Sequence, residues 1–292
     1  MINRELIRIK IVQLTYAYYQ NGNKNMDNAE KELLFSLSKA YDLYNYLLDL
    51  ILAISKEERR RVEIATQRAQ REGTDIPSTK FIDNRFTLQL EENKMLADFN
   101  EAKKLTWADD IEFIRKMCVL IEQSQIYTDY MSAEEDNYEA DWNDDKEVVD
   151  TFVLKTIKRF DPKNKAKQEL LPEYKDAEDK DFAIKLFRAT ILNADQYQRF
   201  MSETSRNWDF SRLAYMDVII MQIAIAEMLT FPNIPVSVTI NEYVELAKLY
   251  STPRSGAYIN GMLDAIARHL SETGKMFKTL ANPVRPQTTD NQ

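Results

Sequence analysis

The sequence predicts an all-α protein, because it is poor in glycine and because apolar residues recur at helical spacing along most of its length. Only 5 of the 292 residues are glycine, whereas about 7 % is usual. Doubly wound and all-β folds need tight turns and phosphate-binding loops, which depend on glycine. Neither a GxGxxG sequence nor a Walker loop is present. Long helices joined by few turns remain as the expected architecture.

Cysteine and histidine are too scarce for most catalytic or metal sites. The single cysteine, Cys118, rules out an internal disulfide and a cysteine-based zinc centre. The single histidine, His269, rules out Cys2His2 fingers and HExxH motifs, and any Ser-His-Asp triad would have to use it. We therefore expect no catalytic residues, no metal and no cofactor.

The charge of the chain is unevenly distributed. Lysine and arginine number 39 and the acidic residues 47, a net charge of −8 that argues against a bulk coat on nucleic acid. The segment 129–150 carries ten acidic residues against Lys146 alone. Its spacing lacks the order of an EF-hand, which favours an exposed acidic segment. The alternative is a Mg²⁺-dependent hydrolase or phosphodiesterase that uses these carboxylates.

The sequence shows neither a signal peptide nor a membrane span. Charged residues recur from Arg4 to Lys10, where a signal peptide would be apolar. The longest apolar run, 213–231, is interrupted by Asp217, Gln222 and Glu227, which is typical of a buried core helix. We expect a soluble, cytoplasmic protein.

Helical periodicity in the first half of the chain predicts one short helix and one long one. Arg4 and Arg8 stand four apart in the first helix, which would make them neighbours on its surface. Asn21-Gly22-Asn23 has the turn chemistry that ends a helix. The predicted helical segments are 4–20, 27–71 and, after a break at 73–77, 81–131.

The second half predicts a connector over 161–181 and then a series of helices. The first helix runs from Phe182 to about Ser202. Asn207 or Asp209 is the predicted N-cap of the next helix, and Trp208, between them, is predicted to lie in the core. Thr239 and Glu242 have the spacing of a capping box for the helix that ends at Tyr250. The last helix begins near Ser251-Thr252-Pro253 and ends at Gly274, and the tail 282–292 is polar.

Three sequence blocks in the C-terminal third carry a family resemblance. They read WDFSRLAYMDVIIMQIAIAE from Trp208, IPVSVTINEYVELAK from Ile234 and SGAYINGMLD from Ser255. In this order they closely resemble the NusB family of bacterial transcription antitermination factors, over about residues 180–270. Tyr258 and Ile259 stand where that family typically has Phe and Val.

The first helix resembles the same family more weakly. The family opens with an arginine-rich helix followed by Ala-x-Gln-x-Leu-Tyr, and this chain has Arg4, Arg8 and Lys10 before VQLTY at 12–16. The resemblance implies an N-terminal bundle part with a basic first helix and a long insertion without counterpart in compact relatives. The predicted segments are 1–54 (bundle part), 55–175 (helical, then acidic insertion), 176–281 (C-terminal bundle) and 282–292 (disordered tail).

The resemblance implies two packed helical bundles, with an extended helical insertion, and a function without catalysis. Proteins similar to NusB bind the boxA element of ribosomal-operon RNA together with NusE, a small-subunit ribosomal protein, and act on RNA polymerase to suppress termination. Family members occur as monomers and as homodimers. The alternative is a helical protein-interaction scaffold without RNA binding.

Eight residues are candidates for RNA binding. Three form a basic patch on the first helix, and Gln13 follows them on the same helix. Two tyrosines offer stacking faces, and two residues stand at the start of the last helix, where backbone amides favour phosphate. The candidates are Arg4, Arg8, Lys10, Gln13, Tyr16, Arg254, Ser255 and Tyr258.

Asp217 and Tyr16 are candidates for contact with the NusE partner. Relatives place an acidic residue at the position of Asp217, but a charge on an apolar helix is seldom buried without a partner. The other interpretation of Asp217 is therefore an internal partner, such as Arg212 or a residue of the first helix.

Gly261 is expected to let another helix approach closely.

Overall fold

The structure confirms the all-α fold. It is a computed structural model that describes residues 1–21, 25–104, 106–132, 148–204, 214–276 and 278, with residues 148–150 described by their backbone only. Within these ranges it contains twelve α-helices, two short 3₁₀ helices (Ala108–Asp110 and Pro162–Lys167) and no strand longer than one bridge. The α-helices are α1 (Arg4–Gln20), α2 (Met26–Glu72), α3 (Arg85–Glu91), α4 (Lys94–Lys103), α5 (Ile111–Glu122), α6 (Gln125–Ser132), α7 (Val148–Arg159), α8 (Asp179–Leu192), α9 (Ala194–Thr204), α10 (Tyr215–Thr230), α11 (Val236–Tyr250) and α12 (Ser255–Glu272).

The chain divides into two compact units. The terminal unit comprises Ile2–Leu37 and Tyr174–Gln292, and the middle unit comprises Met1 and Ser38–Glu173. Helix α2 contributes its first turns to the terminal unit and the rest of its length to the middle unit.

Helix α10 is the centre of the terminal unit. Its sequence has no polar stripe, and a helix that is apolar on all sides is stable only when it is surrounded. It packs against α1, α8, α9, α11 and α12. The polar side chain of Gln222 is satisfied inside this core, because its amide donates to the Tyr19 hydroxyl and to the Thr190 carbonyl. This confirms the prediction of a buried core helix around Asp217, Gln222 and Glu227.

The middle unit has its own core. Ile54 of α2 packs against Ile114 and Cys118 of α5, and the Trp107 ring covers this cluster. The indole nitrogen of Trp107 donates to the Tyr46 carbonyl at 3.0 Å, and the two rings stack with their centroids 4.0 Å apart. Across the described helices of both units, none has the length and apolar character that a membrane span requires.

Some predicted helix boundaries are wrong. The segment 182–202 holds two helices that are separated at Asn193, which caps the carboxyl end of α8. Helix α11 begins at Val236, after the N-cap Pro235, so Thr239 lies inside the helix and the capping box is not formed. Helix α12 begins at Ser255, a few residues later than expected.

Other boundaries are confirmed. Helices α1 and α2 match their predicted ranges, and Gly274, with φ of 66°, follows the end of α12. The predicted roles of Gly22, Asn207, Trp208, Asp209 and the 282–292 tail lie outside the described residues.

Candidate functional site

The structure separates the candidate residues into a buried ionic network and an exposed rim, both in the terminal unit. Arg8 belongs to the buried network. Asp217 and Ser255 are buried beneath the rim, while Gln13, Tyr16 and Arg254 are exposed.

The buried network is centred on Arg8 of α1 and Glu227 of α10. The Arg8 Nε lies 2.8 Å from one oxygen of Glu227 and an Arg8 terminal nitrogen lies 3.0 Å from the other, which makes a bidentate pair. The second terminal nitrogen of Arg8 donates to Glu242 of α11 at 3.0 Å. Thr239 and Tyr243 of α11 also donate to Glu227, at 2.9 and 3.0 Å. The network therefore joins three helices through one carboxylate.

The electrostatics of this network follow from its burial. Burial alone would lower the pKa of Arg8, but the hydrogen bond and the negative charge of Glu227 outweigh it and the pKa is raised. The pKa of the Tyr243 hydroxyl is raised well above 10, first by burial and then by the charge of Glu227. Arg8 therefore remains charged and Tyr243 remains protonated across the neutral range.

The expectation that Arg8 lies on the surface beside Arg4 is wrong. Arg8 is only 4 % exposed, and its guanidinium is engaged by two carboxylates. A charge at this depth is stable only with such partners. Sequence spacing along α1 could not show that the partner is Glu227, which follows 219 residues later.

Arg4 and Lys10 remain closer to the surface than Arg8. The Arg4 Nε lies 3.3 Å from a carboxylate oxygen of Asp179, and its guanidinium carbon lies 5.0 Å from the centre of the Phe182 ring. The Arg4 side chain is nevertheless half-exposed, and so is Lys10. Of the predicted basic patch, Arg4 and Lys10 are thus the cations that solvent can reach.

Asp217 fixes the start of α12. Its two carboxylate oxygens accept hydrogen bonds from Ser251, at 2.5 Å, and from Ser255, at 3.0 Å. Asp217 is 5 % exposed and Ser255 is 2 % exposed. Of the two interpretations of Asp217, the exposed partner contact is therefore wrong and the internal partner is confirmed. The Ser255 side chain is likewise turned inward, to Asp217. The internal partners of Asp217 are these serines; Arg212 lies outside the described residues.

Beside these buried groups lies a rim of four exposed side chains and one half-buried tyrosine, Tyr250. Tyr16 of α1 and Tyr215 of α10 are 40 % and 46 % exposed, and their rings meet edge to face with centroids 5.9 Å apart. Gln13, one turn before Tyr16, donates to the Tyr250 hydroxyl at 2.8 Å. Tyr250 directly precedes Ser251, and Arg254 is exposed at the N-cap of α12. We call Gln13, Tyr16, Tyr215, Tyr250 and Arg254 the tyrosine rim.

Tyr258, a further candidate, is half-buried next to the rim. Burial raises the pKa of its hydroxyl, and the negative charge of Asp217 raises it further. The hydroxyl therefore acts as a neutral group, and the ring is only partly open to a stacking partner.

Sequence reasoning missed two members of the rim, Tyr215 and Tyr250. Each is an aromatic residue at the end of an otherwise core-forming helix, α10 and α11 respectively. Their position could have identified them. An aromatic residue at the end of a helix can lie beyond the part of the apolar stripe that packs in the core.

Gly261 does not mediate a close helix approach, contrary to expectation. A Cβ atom added there would meet no heavy atom of the described residues within 4 Å. At Gly256 a Cβ atom would lie 3.6 Å from Lys248 Cγ and 3.7 Å from Val244 Cγ1, which are ordinary van der Waals contacts. Helix α12 therefore packs on α11 at Gly256 and presents Asn260 and Gly261 to solvent.

The described part of the chain contains no group of three or more histidine, cysteine or acidic side chains arranged to hold a metal ion. Most of the acidic segment, residues 133–147, lies outside the described residues.

The terminal unit is thus typical of an all-helical binding protein, with the tyrosine rim at its surface and the buried ionic network beneath it. The sequence profile of the NusB family matches residues 148–268. The chain is 37 % identical over 109 residues to the transcription antitermination protein NusB of Salinibacter ruber, a match that covers 37 % of this chain and 68 % of the relative. The chain belongs to the NusB family.

Other matches cover similar parts of the chain. It is 36 % identical over 118 residues to NusB of Chloroherpeton thalassium, covering 40 % of this chain and 56 % of the relative. A solved structure of T. maritima NusB is 30 % identical, with coverage of 43 % of this chain and 89 % of that chain and a TM-score of 0.31. The profile match begins at residue 148, inside the segment 55–175 that we predicted as an insertion.

Proposed function

We propose that this protein is a cytoplasmic transcription antitermination factor that binds boxA-type single-stranded RNA of ribosomal RNA operons together with NusE and acts on RNA polymerase. The observation that carries this proposal is the match to relatives named transcription antitermination protein NusB, one of which is matched over 68 % of its length.

The tyrosine rim supports the RNA part of the proposal. Exposed aromatic rings stack on unpaired bases, and each stacked base contributes about 1–3 kcal/mol. Tyr16 and Tyr215 supply such rings. Arg254 adds a cation at the amino end of α12, where backbone amides also favour an anion. Arg4 and Lys10 extend the positive charge along α1.

The buried candidates act through the residues above them. Arg8 holds α1 against α10 and α11, while Asp217 and Ser255 fix the start of α12. In this proposal they position the tyrosine rim and do not touch RNA.

One observation favours the alternative of a protein-interaction scaffold without RNA binding. Exposed aromatic residues are enriched in the centre of protein interfaces, and Tyr16 and Tyr215 form such a pair. On this alternative, NusE would bind the rim and RNA would not.

Fluorescence anisotropy separates the two functions. Labelled boxA RNA and a scrambled RNA are titrated with the protein, with and without NusE. We expect tighter binding of the boxA sequence when NusE is present. Arg254→Gln should weaken this binding, whereas Arg199→Gln, which removes another exposed arginine of the same unit, should not. Binding of NusE without any RNA binding would establish the scaffold.

A further inference from the structure

The middle unit carries a dense cluster of basic residues at the end of α7 and in the 3₁₀ segment that follows. Between residues 155 and 167 the only acidic residue is Asp161. All six cations are exposed, and none forms an ion pair with a carboxylate of the described residues. We call this cluster the basic ledge; it consists of Lys155, Lys158, Arg159, Lys163, Lys165 and Lys167.

The helical half of the ledge is a single face of α7. Lys155, Lys158 and Arg159 stand at i, i+3 and i+4, so they are neighbours on the helix surface. Phe152 and Thr156 of the same helix are buried beside this face, and the Lys155 ammonium lies 5.3 Å from the centre of the Phe152 ring. Like charges at this spacing destabilise a helix. An anion bound across them would relieve that repulsion.

The other half of the ledge is held in place by buried amides. The Gln89 side chain donates to the carbonyls of Asp161 and Lys165, at 2.8 and 3.1 Å. The Gln168 side chain accepts from the Asp161 backbone amide and from the Asn164 side chain, at 3.0 and 2.9 Å. These contacts hold Lys165 at φ of 46°, a conformation that side-chain-bearing residues rarely adopt. The segment is therefore fixed while its lysines point to solvent.

The carboxylate of Asp161 offsets only one of the six positive charges of the ledge. One of its oxygens accepts a hydrogen bond from the backbone amide of Lys163, which caps the 3₁₀ segment. The adjacent acidic residue on the other side, Glu169, is exposed and forms no ion pair with the ledge. The local net charge from 155 to 167 is therefore strongly positive in a chain whose total is −8.

We propose that the basic ledge binds the phosphate backbone of single-stranded RNA without reading its sequence. Five of the six cations are lysines, which are depleted in protein–protein interfaces and act as point charges for phosphate. This contact goes beyond the function proposed above, because it lies in the middle unit and needs neither a boxA sequence nor NusE.

A salt titration tests the ledge. The full chain is titrated with labelled oligouridylate, which contains no boxA sequence, at several salt concentrations. The variant Lys158→Gln/Lys163→Gln/Lys167→Gln is compared with Lys31→Gln/Lys116→Gln/Lys185→Gln, which removes three other exposed lysines and changes the net charge equally. Since each neutralised phosphate contributes about 0.7 to the slope of log Kd against log salt on single strands, the ledge variant should lose about 2. The control should keep the wild-type slope.

Three results would overturn the proposal. They are no binding of oligouridylate by the wild type, an equal loss of slope in both variants, and a ledge variant that keeps RNA binding but loses binding to phosphatidylserine vesicles. The experiment is independent of the boxA proposal. The protein can lack a preference for boxA over scrambled RNA while the ledge variant still loses salt dependence. It can also show that preference while the ledge variant keeps the wild-type salt dependence.

Discussion

Arg8 and Glu227 form a bidentate pair at 2.8 and 3.0 Å in the core of the terminal unit, although 219 residues separate them in the sequence. The pair attaches the first helix to the central helix α10, and Glu242 extends the attachment to α11. Because the tyrosine rim takes residues from all three of these helices, the geometry of the exposed site depends on a salt bridge that solvent does not reach.

Replacing Arg8 should therefore reduce stability. Arg8→Ala leaves the charge of Glu227 buried without its cation, and breaking a buried pair in this way costs about 3–5 kcal/mol. Urea unfolding measures the loss. Arg199→Ala is the matched control, because Arg199 is exposed and the loss of a surface arginine should cost less than about 1 kcal/mol. An Arg8→Ala protein with unchanged stability and weaker RNA binding would contradict this account and return Arg8 to the RNA surface.

Asp217→Lys should destabilise the fold. The lysine would place a positive charge where Ser251 and Ser255 donate hydrogen bonds, and an unpartnered buried charge costs several kcal/mol. Asp217→Asn keeps an acceptor oxygen and should cost about 1 kcal/mol. Thermal unfolding of both variants is the measurement. A fully stable Asp217→Lys protein that has lost only NusE binding would show that Asp217 is a partner contact.

Gly261→Ala should stabilise the protein. The added methyl group meets no described atom within 4 Å, and alanine is favoured over glycine inside a helix by about 0.5–1 kcal/mol. Gly274→Ala is the contrasting variant, because Gly274 has φ of 66° and alanine there should destabilise by about 1 kcal/mol. Chemical unfolding compares the two variants. A destabilised Gly261→Ala protein would mean that another surface of the chain packs closely against this position.

Stability should fall at alkaline pH partly because of Tyr243. Burial and the charge of Glu227 raise its pKa, so the folded state keeps a proton that the unfolded chain releases near pH 10. The stabilisation that this group contributes to the folded state is thus fully present below about pH 10. It decreases as the pH rises above that value.

Tyr243→Phe removes that titration. The slope of unfolding free energy against pH above pH 10 should become less steep by up to about 1.4 kcal/mol per pH unit. Urea unfolding at a series of pH values gives the slope. Tyr250→Phe, which alters a hydroxyl bonded to exposed Gln13, serves as the control. Equal slopes in wild type and Tyr243→Phe would refute this role.

Local features of the sequence were sufficient to predict the helices. Periodic apolar residues predicted α1 and α2, and Gly274 predicted the end of α12, because these signals act within a few residues. The Thr239–Glu242 pattern failed for a local reason as well. The N-cap is Pro235, four residues before Thr239, and the side chains of Thr239 and Glu242 bond instead to the Arg8–Glu227 pair.

The candidate site was less predictable because its decisive contacts are distant in sequence. Nothing near Arg8 indicates that its partner is Glu227, and nothing near Asp217 indicates Ser251 and Ser255. The family resemblance drew attention to Tyr16, but its contact with Tyr215 required the packing of α1 on α10. The residues that position the rim are buried, and most of those that form it are exposed. Sequence spacing does not reveal this difference in burial.

We propose that the exposed tyrosine rim binds boxA RNA together with NusE, and removal of the Tyr16 ring tests this proposal. Anisotropy of labelled boxA RNA is measured with NusE and either wild-type protein, Tyr16→Ala, or Phe35→Ala, which removes an exposed ring on α2. We predict that Tyr16→Ala weakens binding about 5- to 150-fold, which corresponds to about 1–3 kcal/mol, and that Phe35→Ala matches the wild type. Equal affinity of all three proteins for boxA RNA, with NusE present, would contradict the claim.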